Sequence, residues 1–184
     1  MEIFINKYHD TFLDYLFRGI TYLGEGIIPF LIIIIILNRK VYYGIVAGSA
    51  LITATVIAQV LKRFVFPEAL RPKAFLKELD LYFIADLEIH SYFSFPSGHT
   101  TGGFTLFTIL AIFAKNPYVQ FFYFILAFMV GLSRVYLLQH FFIDTYFGAI
   151  IGTITAVIVY YFFENYTSLK EKEKLQLPLY KLKS

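Results

Sequence analysis

From Val41 to Leu61 the chain carries no charged residue. A predominantly apolar run of that length crosses the ~30 Å hydrocarbon core of a bilayer as one helix. Fixing one such helix in a membrane constrains every other segment to cross, to lie on the surface or to connect. Residues 99–114, 118–133 and 141–163 repeat the pattern, with Lys115-Asn116-Pro117 as a short turn between two of them. Residues 27–37 (IIPFLIIIIIL) are strongly apolar but short, so they span only by borrowing flanking residues. Residues 2–24 carry Glu2, Lys7, Asp10, Asp14 and Arg18 between apolar positions at helical spacing. That pattern predicts an amphipathic helix at the interface or packed on the bundle, with a sixth span as the alternative. The chain is 58% hydrophobic and 16% charged, where a soluble domain is about 25% charged. The expected fold is all-α: a polytopic membrane helix bundle of five to six transmembrane helices with an amphipathic N-terminal helix.

One domain accounts for the 184 residues. Residues 1–25 form its amphipathic N-terminal helix, residues 27–163 the helix bundle with a polar loop at 62–95, and residues 164–184 a polar cytoplasmic tail, read as a solvated helix end. A loop as long as 62–95 between membrane helices is more than a connector. Gly44-x-x-x-Gly48 and Gly148-x-x-x-Gly152 have the small-residue spacing that lets helices approach closely. With no cysteine, thiolate catalysis, disulfides and cysteine-based metal sites are excluded. A net charge of +3 is too small to point to nucleic acid.

If each apolar run crosses once, the polar segments sort onto two sides. Arg39, Lys40, Lys115, Lys170, Lys172, Lys174, Lys181 and Lys183 share one side with only Glu164, Glu171 and Glu173. Excess Lys and Arg in short loops marks the cytoplasmic face. The other side, holding residues 62–99 and 134–140, then faces the periplasm or cell exterior.

That outer side carries the chemistry. Residues 133–144 are a greasy run containing Arg134, His140 and Asp144, each costly near a membrane and so in need of a reason. His140 and Asp144 are four apart, on one helical face. A carboxylate there can hold one imidazole nitrogen and leave the other free as nucleophile or base. Arg134 supplies a planar fork suited to phosphate. It closes one span while His140 opens the next, so the two converge from different directions. Phe95-Pro96-Ser97-Gly98-His99-Thr100 precedes a helix whose free N–H groups suit an anion. Gly98 permits close backbone approach, Ser97 adds a hydroxyl, and His99 can carry a proton to a leaving oxygen. Upstream, Lys62 at a helix end and Arg71-Pro72 add two cations. His9 and His90 are read as structural or exposed. Glu68, Glu78, Asp80, Asp86 and Glu88 are read as a solvated face, not a metal site.

Pro96-Ser97-Gly98-His99 and Ser133-Arg134-x5-His140-x3-Asp144 resemble the second and third signature motifs of the type 2 phosphatidic acid phosphatase superfamily. The first motif of that family is a Lys, six residues, then Arg-Pro. Here Arg71-Pro72 is present, with Lys62 eight and Arg63 seven positions before Arg71. Lys62 is the favoured match, with the extra residues in the Phe64–Leu70 loop. The resemblance covers roughly residues 41–163. It implies a phosphohistidine mechanism without metal or other cofactor. His140 would attack phosphorus, Asp144 would orient it, and His99 would protonate the leaving oxygen and then activate water. Lys62, Arg71, Ser97, the Gly98 N–H and Arg134 would hold the phosphate oxygens.

The expected function is therefore an integral membrane lipid phosphatase of the cell (inner) membrane whose partners are the bilayer and a lipid phosphate. Undecaprenyl diphosphate is the favoured substrate, with phosphatidylglycerophosphate, phosphatidic acid and lipid A phosphate as the others. A phosphotransferase using the same phosphohistidine is the alternative. A vanadate-dependent haloperoxidase is disfavoured by the membrane spans. A transporter or scaffold is disfavoured because the charges gather at helix ends on one side.

Overall fold

A computed structural model of the chain describes residues 1–84, 87 and 89–183; Asp86 and Glu88 lie outside them. The described residues form α1 (Glu2–Asn6), α2 (Thr11–Thr21), α3 (Ile27–Leu37), α4 (Val41–Val60), α5 (Pro72–Phe75), α6 (Gly98–Phe113), α7 (Pro117–Tyr136) and α8 (Phe142–Tyr166), with no β-strand among them. Three helical segments are long and apolar enough to cross a bilayer: Val41–Val65, Pro117–Tyr136 and Phe142–Tyr166. A fourth crossing arises if Thr11–Gly24 and Ile27–Leu37, bent by 53° at their junction, count together. α6 is apolar but shorter, at 16 residues.

Residues 2–24 are not one helix. Asp10 interrupts them, its carboxylate accepting from the Phe12 N–H at 2.8 Å to cap α2. One face of α2 is buried through Phe17 against Tyr136, while Phe12 and Tyr15 stay exposed. Asp14 is buried between two tyrosines, accepting from Tyr136 Oη at 2.7 Å and from Tyr82 Oη at 2.9 Å. Asn6 pairs twice with the Tyr82 backbone, and His9 stacks on the Tyr82 ring at 3.7 Å. The N-terminal helices therefore clasp the long loop at Tyr82. The chain then bends at Gly24, where an added Cβ would lie 2.6 Å from the His99 carbonyl oxygen.

α6 is the central helix, packed against α4, α7 and α8. Close packing on α4 comes from a small-residue stripe, with Val46, Ala50, Ala54 and Ala58 at most 2% exposed and spaced by four. The Gly44/Gly48 pair divides its work: Gly44 accommodates Leu37 of α3, whereas Gly48 faces a cavity. Gly148 and Gly152 of α8 press on Ser97 and Thr101 of α6, where any side chain would strike backbone oxygens. The polar tail does not extend α8. It folds back in 3-10 turns over Leu169–Glu171, Glu173–Gln176 and Leu179–Lys183. Leu169 and Leu175 pack on the Tyr42–Val46 core, and the Leu177 carbonyl accepts from the Val41 N–H at 3.1 Å. That bond satisfies a donor that α4 itself leaves open.

Gly152→Ala drives a methyl group into the Thr101 carbonyl and is expected to cost about 1–3 kcal/mol. Gly19, in α2, has open space around it, so Gly19→Ala is expected to leave stability unchanged or slightly raised. Thermal unfolding of the two variants in detergent checks both outcomes.

Candidate active site

The starts of α6 and α8 and the ends of α4 and α7 meet at one end of the bundle. The Ser97 N–H donates to the Asp144 carbonyl at 3.0 Å, tying the first turns of α6 and α8 together. α7 stops at Tyr136, and Leu138 takes φ 52°, reversing the chain. The N–H groups of Gln139 and His140 both then donate to the Arg134 carbonyl, at 3.0 and 3.2 Å. Arg134 and His140 thus occupy two helix ends joined by a turn, as their spacing predicted.

Lys62 sits on the wide last turn of α4, Leu61–Val65, and lines the cavity at this end. Arg63 points elsewhere, donating to Gln59 Oε1 at 3.2 Å on the exposed side. Arg71 is brought in by the loop. Its N–H donates to the Ser91 carbonyl at 2.9 Å and its Nε to the Tyr92 carbonyl at 3.1 Å. Its Nη1 donates to both the backbone and the side-chain oxygen of Gln139, each at 3.2 Å. Arg134 donates from Nη2 to the same Gln139 Oε1 at 3.3 Å and from Nη1 to Thr21 Oγ1 at 2.6 Å. Arg134 Nε is buried with no partner among the described residues. Three cations therefore face one space, and the acceptors of the Arg71 and Arg134 side chains are neutral oxygens. Buried N–H donors and like charges so arranged want an anion.

His140 is 1% exposed. Its Nδ1 lies 3.4 Å from both Ser94 Oγ and Asp144 Oδ2. Ser94 in turn donates to Asp144 Oδ2 at 2.5 Å, and the Phe141 N–H donates to the same oxygen at 2.9 Å. Asp144 thus caps the start of α8 and stands beside His140, its carboxylate and the Ser94 hydroxyl equally far from Nδ1. Burial, and then the charges of Arg134, Arg71, Lys62 and His99, hold the His140 imidazole well below its usual range. The ring is neutral, with a lone pair available. Gly98 and His99 line the cavity, and a Cβ on Gly98 would meet only open space. Ser97 is fully buried and caps α6, its Oγ accepting from Thr100 Oγ1 at 2.9 Å.

The cavity measures about 1210 Å³. From the cations it runs between α3 and α4, along Pro29, Phe30, Ile33, Leu51, Ile52 and Val56. Phe30, Ile52 and Val56 are also exposed on the bundle surface, so the groove opens sideways. His90, set aside in the sequence, lines the cavity as well. Ser94, Gln139, Thr21 and Glu25 escaped the sequence reading. Ser94 carries a signal of a kind, lying three residues before Ser97; the others depend on contacts across the fold.

A family model described as PAP2 superfamily matches residues 43–168. The chain belongs to the PAP2 superfamily. Phosphatidylglycerophosphatase B of Bacillus subtilis (strain 168) is 29% identical over 174 residues, covering 87% of this chain and 80% of the relative. The crystal structure of Aquifex aeolicus LpxE superposes with a TM-score of 0.77 at 29% identity, over 87% of this chain and 92% of that one. The first transmembrane PAP2 type phosphatidylglycerolphosphate phosphatase structure from Bacillus subtilis gives 0.73 at 27% identity, over 90% and 84%. As a PAP2 phosphatase, the chain is a lipid phosphate hydrolase.

At pH 6 an ordinary imidazole, with pKa about 6.5, is mostly protonated. Because the His140 pKa is lowered, its neutral form persists as the pH falls through that range. Imidazole 15N NMR of the detergent-solubilised protein is expected to show His140 neutral at pH 6. A protonation midpoint at 6 or above contradicts the buried, cation-surrounded ring.

Proposed function

We propose that this PAP2 phosphatase hydrolyses a lipid phosphomonoester through a phosphohistidine on His140, with phosphatidylglycerophosphate as the leading substrate. One observation carries the reading. A single cavity joins a three-cation cradle holding a neutral histidine to an apolar groove that opens toward lipid. That is the shape of an amphiphile with a phosphate at one end. The substrate choice leans on the Bacillus subtilis phosphatidylglycerophosphatase, which this chain resembles in sequence and in structure. Undecaprenyl diphosphate, favoured by the sequence alone, takes second place.

In the first step His140 Nε2 attacks phosphorus and the bond to the leaving oxygen breaks. His99 gives that oxygen a proton. In the second step His99 takes a proton from water, the water oxygen attacks phosphorus, and the P–Nε2 bond breaks to release inorganic phosphate. Lys62, Arg71, Ser97, the Gly98 N–H and Arg134 hold the equatorial oxygens, where charge stabilisation matters most. The Arg134 Nε donor left open in the protein is one of these contacts. Asp144 acts on His140 together with Ser94, each with an oxygen 3.4 Å from Nδ1. The Ser94 hydroxyl accepts from Nδ1–H while donating to the carboxylate, which fixes the tautomer and steadies the positive charge that develops on the ring. The roles match the motifs residue by residue, and Lys62 fills the first-motif cation position because Arg63 faces away.

We place five crossings in the cell membrane: the bent α2–α3 pair, α4, α6, α7 and α8. α6 must cover the same depth as α7, to which three residues join it at the far end. We read residues 1–184 as one domain, with the described part of the 62–95 loop at the site and the tail at the far end of the bundle. The lysines and arginines of the far end put the tail in the cytoplasm and the site at the periplasmic or outer face.

Phosphate release from a panel of lipid phosphates in detergent tests the reading, with phosphatidylglycerophosphate expected to turn over fastest. His140→Ala is expected to lower the rate by on the order of 10²–10⁴ or more. Release that survives His140→Ala, or strict dependence on an added divalent metal, counts against the mechanism. A double-mutant cycle tests the relay: Ser94→Ala and Asp144→Ala together are expected to cost about what the worse single change costs. Additive losses would place Asp144 and Ser94 in separate roles.

A further inference from the structure

Of the basic residues near the first motif, Lys62 and Arg71 belong to the phosphate cradle and Arg63 does not. Lys62, Gln59, Val56 and Ile52 line one wall of the cavity at spacings of three and four, a single face of α4 and its wide last turn. At one end of that face Lys62 serves the cradle. At the other, Val56 and Ile52 belong to the apolar groove and are exposed on the bundle surface. Gln59 stands between them, one helical turn, about 5 Å, from Lys62. The Arg63 Nε donates to Gln59 Oε1 at 3.2 Å. Arg63 is thereby held at the lip of the groove, outside the cradle.

Val60 and Phe64, on either side of Arg63 along the chain, are apolar and exposed, so this end of α4 faces lipid. The turn itself is wide: the Phe66 N–H donates to the Leu61 carbonyl at 2.8 Å, an i to i+5 bond of the kind that recurs at functional sites. An arginine that only snorkels to the interface needs no partner on a cavity wall. Here Nε is engaged by Gln59, while the two Nη groups make no hydrogen bond and no ion pair among the described residues. A guanidinium only donates, so Gln59 must offer it the amide oxygen and turn its NH2 group away. That NH2 group has no acceptor among the described residues either. Two sets of open donors, one of them charged, therefore lie between the cradle and the apolar groove.

A lipid with its monoester in the cradle and its acyl chains in the groove runs past these donors. We infer that Gln59 and Arg63 form a second anion site, which takes a phosphodiester lying between the scissile phosphate and the acyl chains. In phosphatidylglycerophosphate a glycerol separates the two phosphates, a link that reaches about as far as one helical turn. The diester carries one negative charge, and its oxygens suit the planar fork of an arginine. At a lipid-facing lip that attraction is stronger than in bulk water. The diester stays with the lipid product, so the site holds substrate and product alike and takes no part in the bond changes. The inference rests on the lipid-phosphatase reading and adds to it what selects a lipid with a second, diester phosphate over one with a monoester alone.

The test measures kcat/KM on phosphatidylglycerophosphate and phosphatidic acid in detergent for the wild type, Arg63→Gln, Arg63→Lys and Gln59→Ala. The leaving group of phosphatidic acid, a diacylglycerol, has no phosphate, so this lipid is the reference. In Arg63→Gln the ratio of phosphatidylglycerophosphate to phosphatidic acid is expected to fall about tenfold, the size of one charge-assisted hydrogen bond. The loss is expected in KM, with kcat unchanged, because the contact is the same before and during the reaction. Gln59→Ala is expected to lower the ratio as well, and Arg63→Lys to keep part of the preference. Phosphatidylglycerol, which retains the diester, is expected to inhibit phosphatidic acid turnover less in Arg63→Gln than in the wild type. A ratio within about twofold of wild type in both Arg63→Gln and Gln59→Ala overturns the inference and leaves the phosphatase reading intact. An equal loss on both lipids does the same, since it marks a cation acting on every lipid phosphate alike. A wild type that releases phosphate from neither lipid overturns both.

Discussion

Lys62, Arg71 and Arg134 face one another at the end of a membrane bundle, and much of the structure is arranged to make that tolerable. Like charges in a low-dielectric setting repel, and each would be cheaper apart in water. The protein answers with neutral oxygens. Gln139 Oε1 accepts from both arginines, Thr21 accepts from Arg134, and the Tyr92 carbonyl accepts from Arg71. These acceptors come from α2, the long loop and the turn before α8, so three otherwise separate segments are committed to one task. The one carboxylate close behind His140, Asp144, is already occupied by Ser94 and the Phe141 N–H. The cations are positioned without being neutralised.

The turn between α7 and α8 shows how tightly cation and imidazole are coupled. Leu138 is a buried leucine at φ 52°, a left-handed conformation that costs an ordinary residue roughly 1–2 kcal/mol. With it the backbone N–H groups of Gln139 and His140 settle on the Arg134 carbonyl. The imidazole, the bridging glutamine and the arginine then move as one unit. A longer turn would relieve Leu138 but leave His140 free to drift from the cradle, and positioning errors of an ångström are expensive in phosphoryl transfer.

What was legible in the sequence was local. His140 and Asp144 are one helical turn apart, Ser97 to His99 open a helix, and the uncharged run after Lys40 can only be a span; each of these is set by spacing within a few residues. The convergence of Lys62, Arg71 and Arg134 was legible only because two sat at helix ends and Arg71 in a loop on the same side. Contacts across the fold were not. Nothing near Gln139 in sequence announces that it joins residue 71 to residue 134, and nothing near Thr21 points to an arginine 113 positions away. The charges of residues 2–24 suggested one amphipathic helix, at the interface or packed on the bundle. Asp10 ends that helix early to cap the next, and Asp14 is buried because two tyrosines reach it from distant segments. The tail was read as solvated because its lysines and glutamates alternate, but Leu169, Leu175 and the Leu177 carbonyl bind it back to the bundle. In each case a long-range partner decided what composition left open.

A cradle of cations held by neutral acceptors also sets what the phosphate contributes. Before it arrives, the cost of bringing the cations together is carried by helix packing: the alanine stripe of α4 and the glycines of α8 lock four helix ends in place. In the proposed reaction it supplies the counter-charge that Asp144 does not, and it meets donors such as Arg134 Nε that the described residues leave open. Donors already aimed at the anion need no reorganisation as negative charge shifts during the reaction, which is the condition for electrostatic catalysis to be large. Neutralising the cradle with a buried carboxylate would stabilise the bundle and remove that advantage. Glu25, the one carboxylate among the described residues lining the cavity, sits instead at the bend between α2 and α3. There it makes no ion pair with them and leaves them open to an anion.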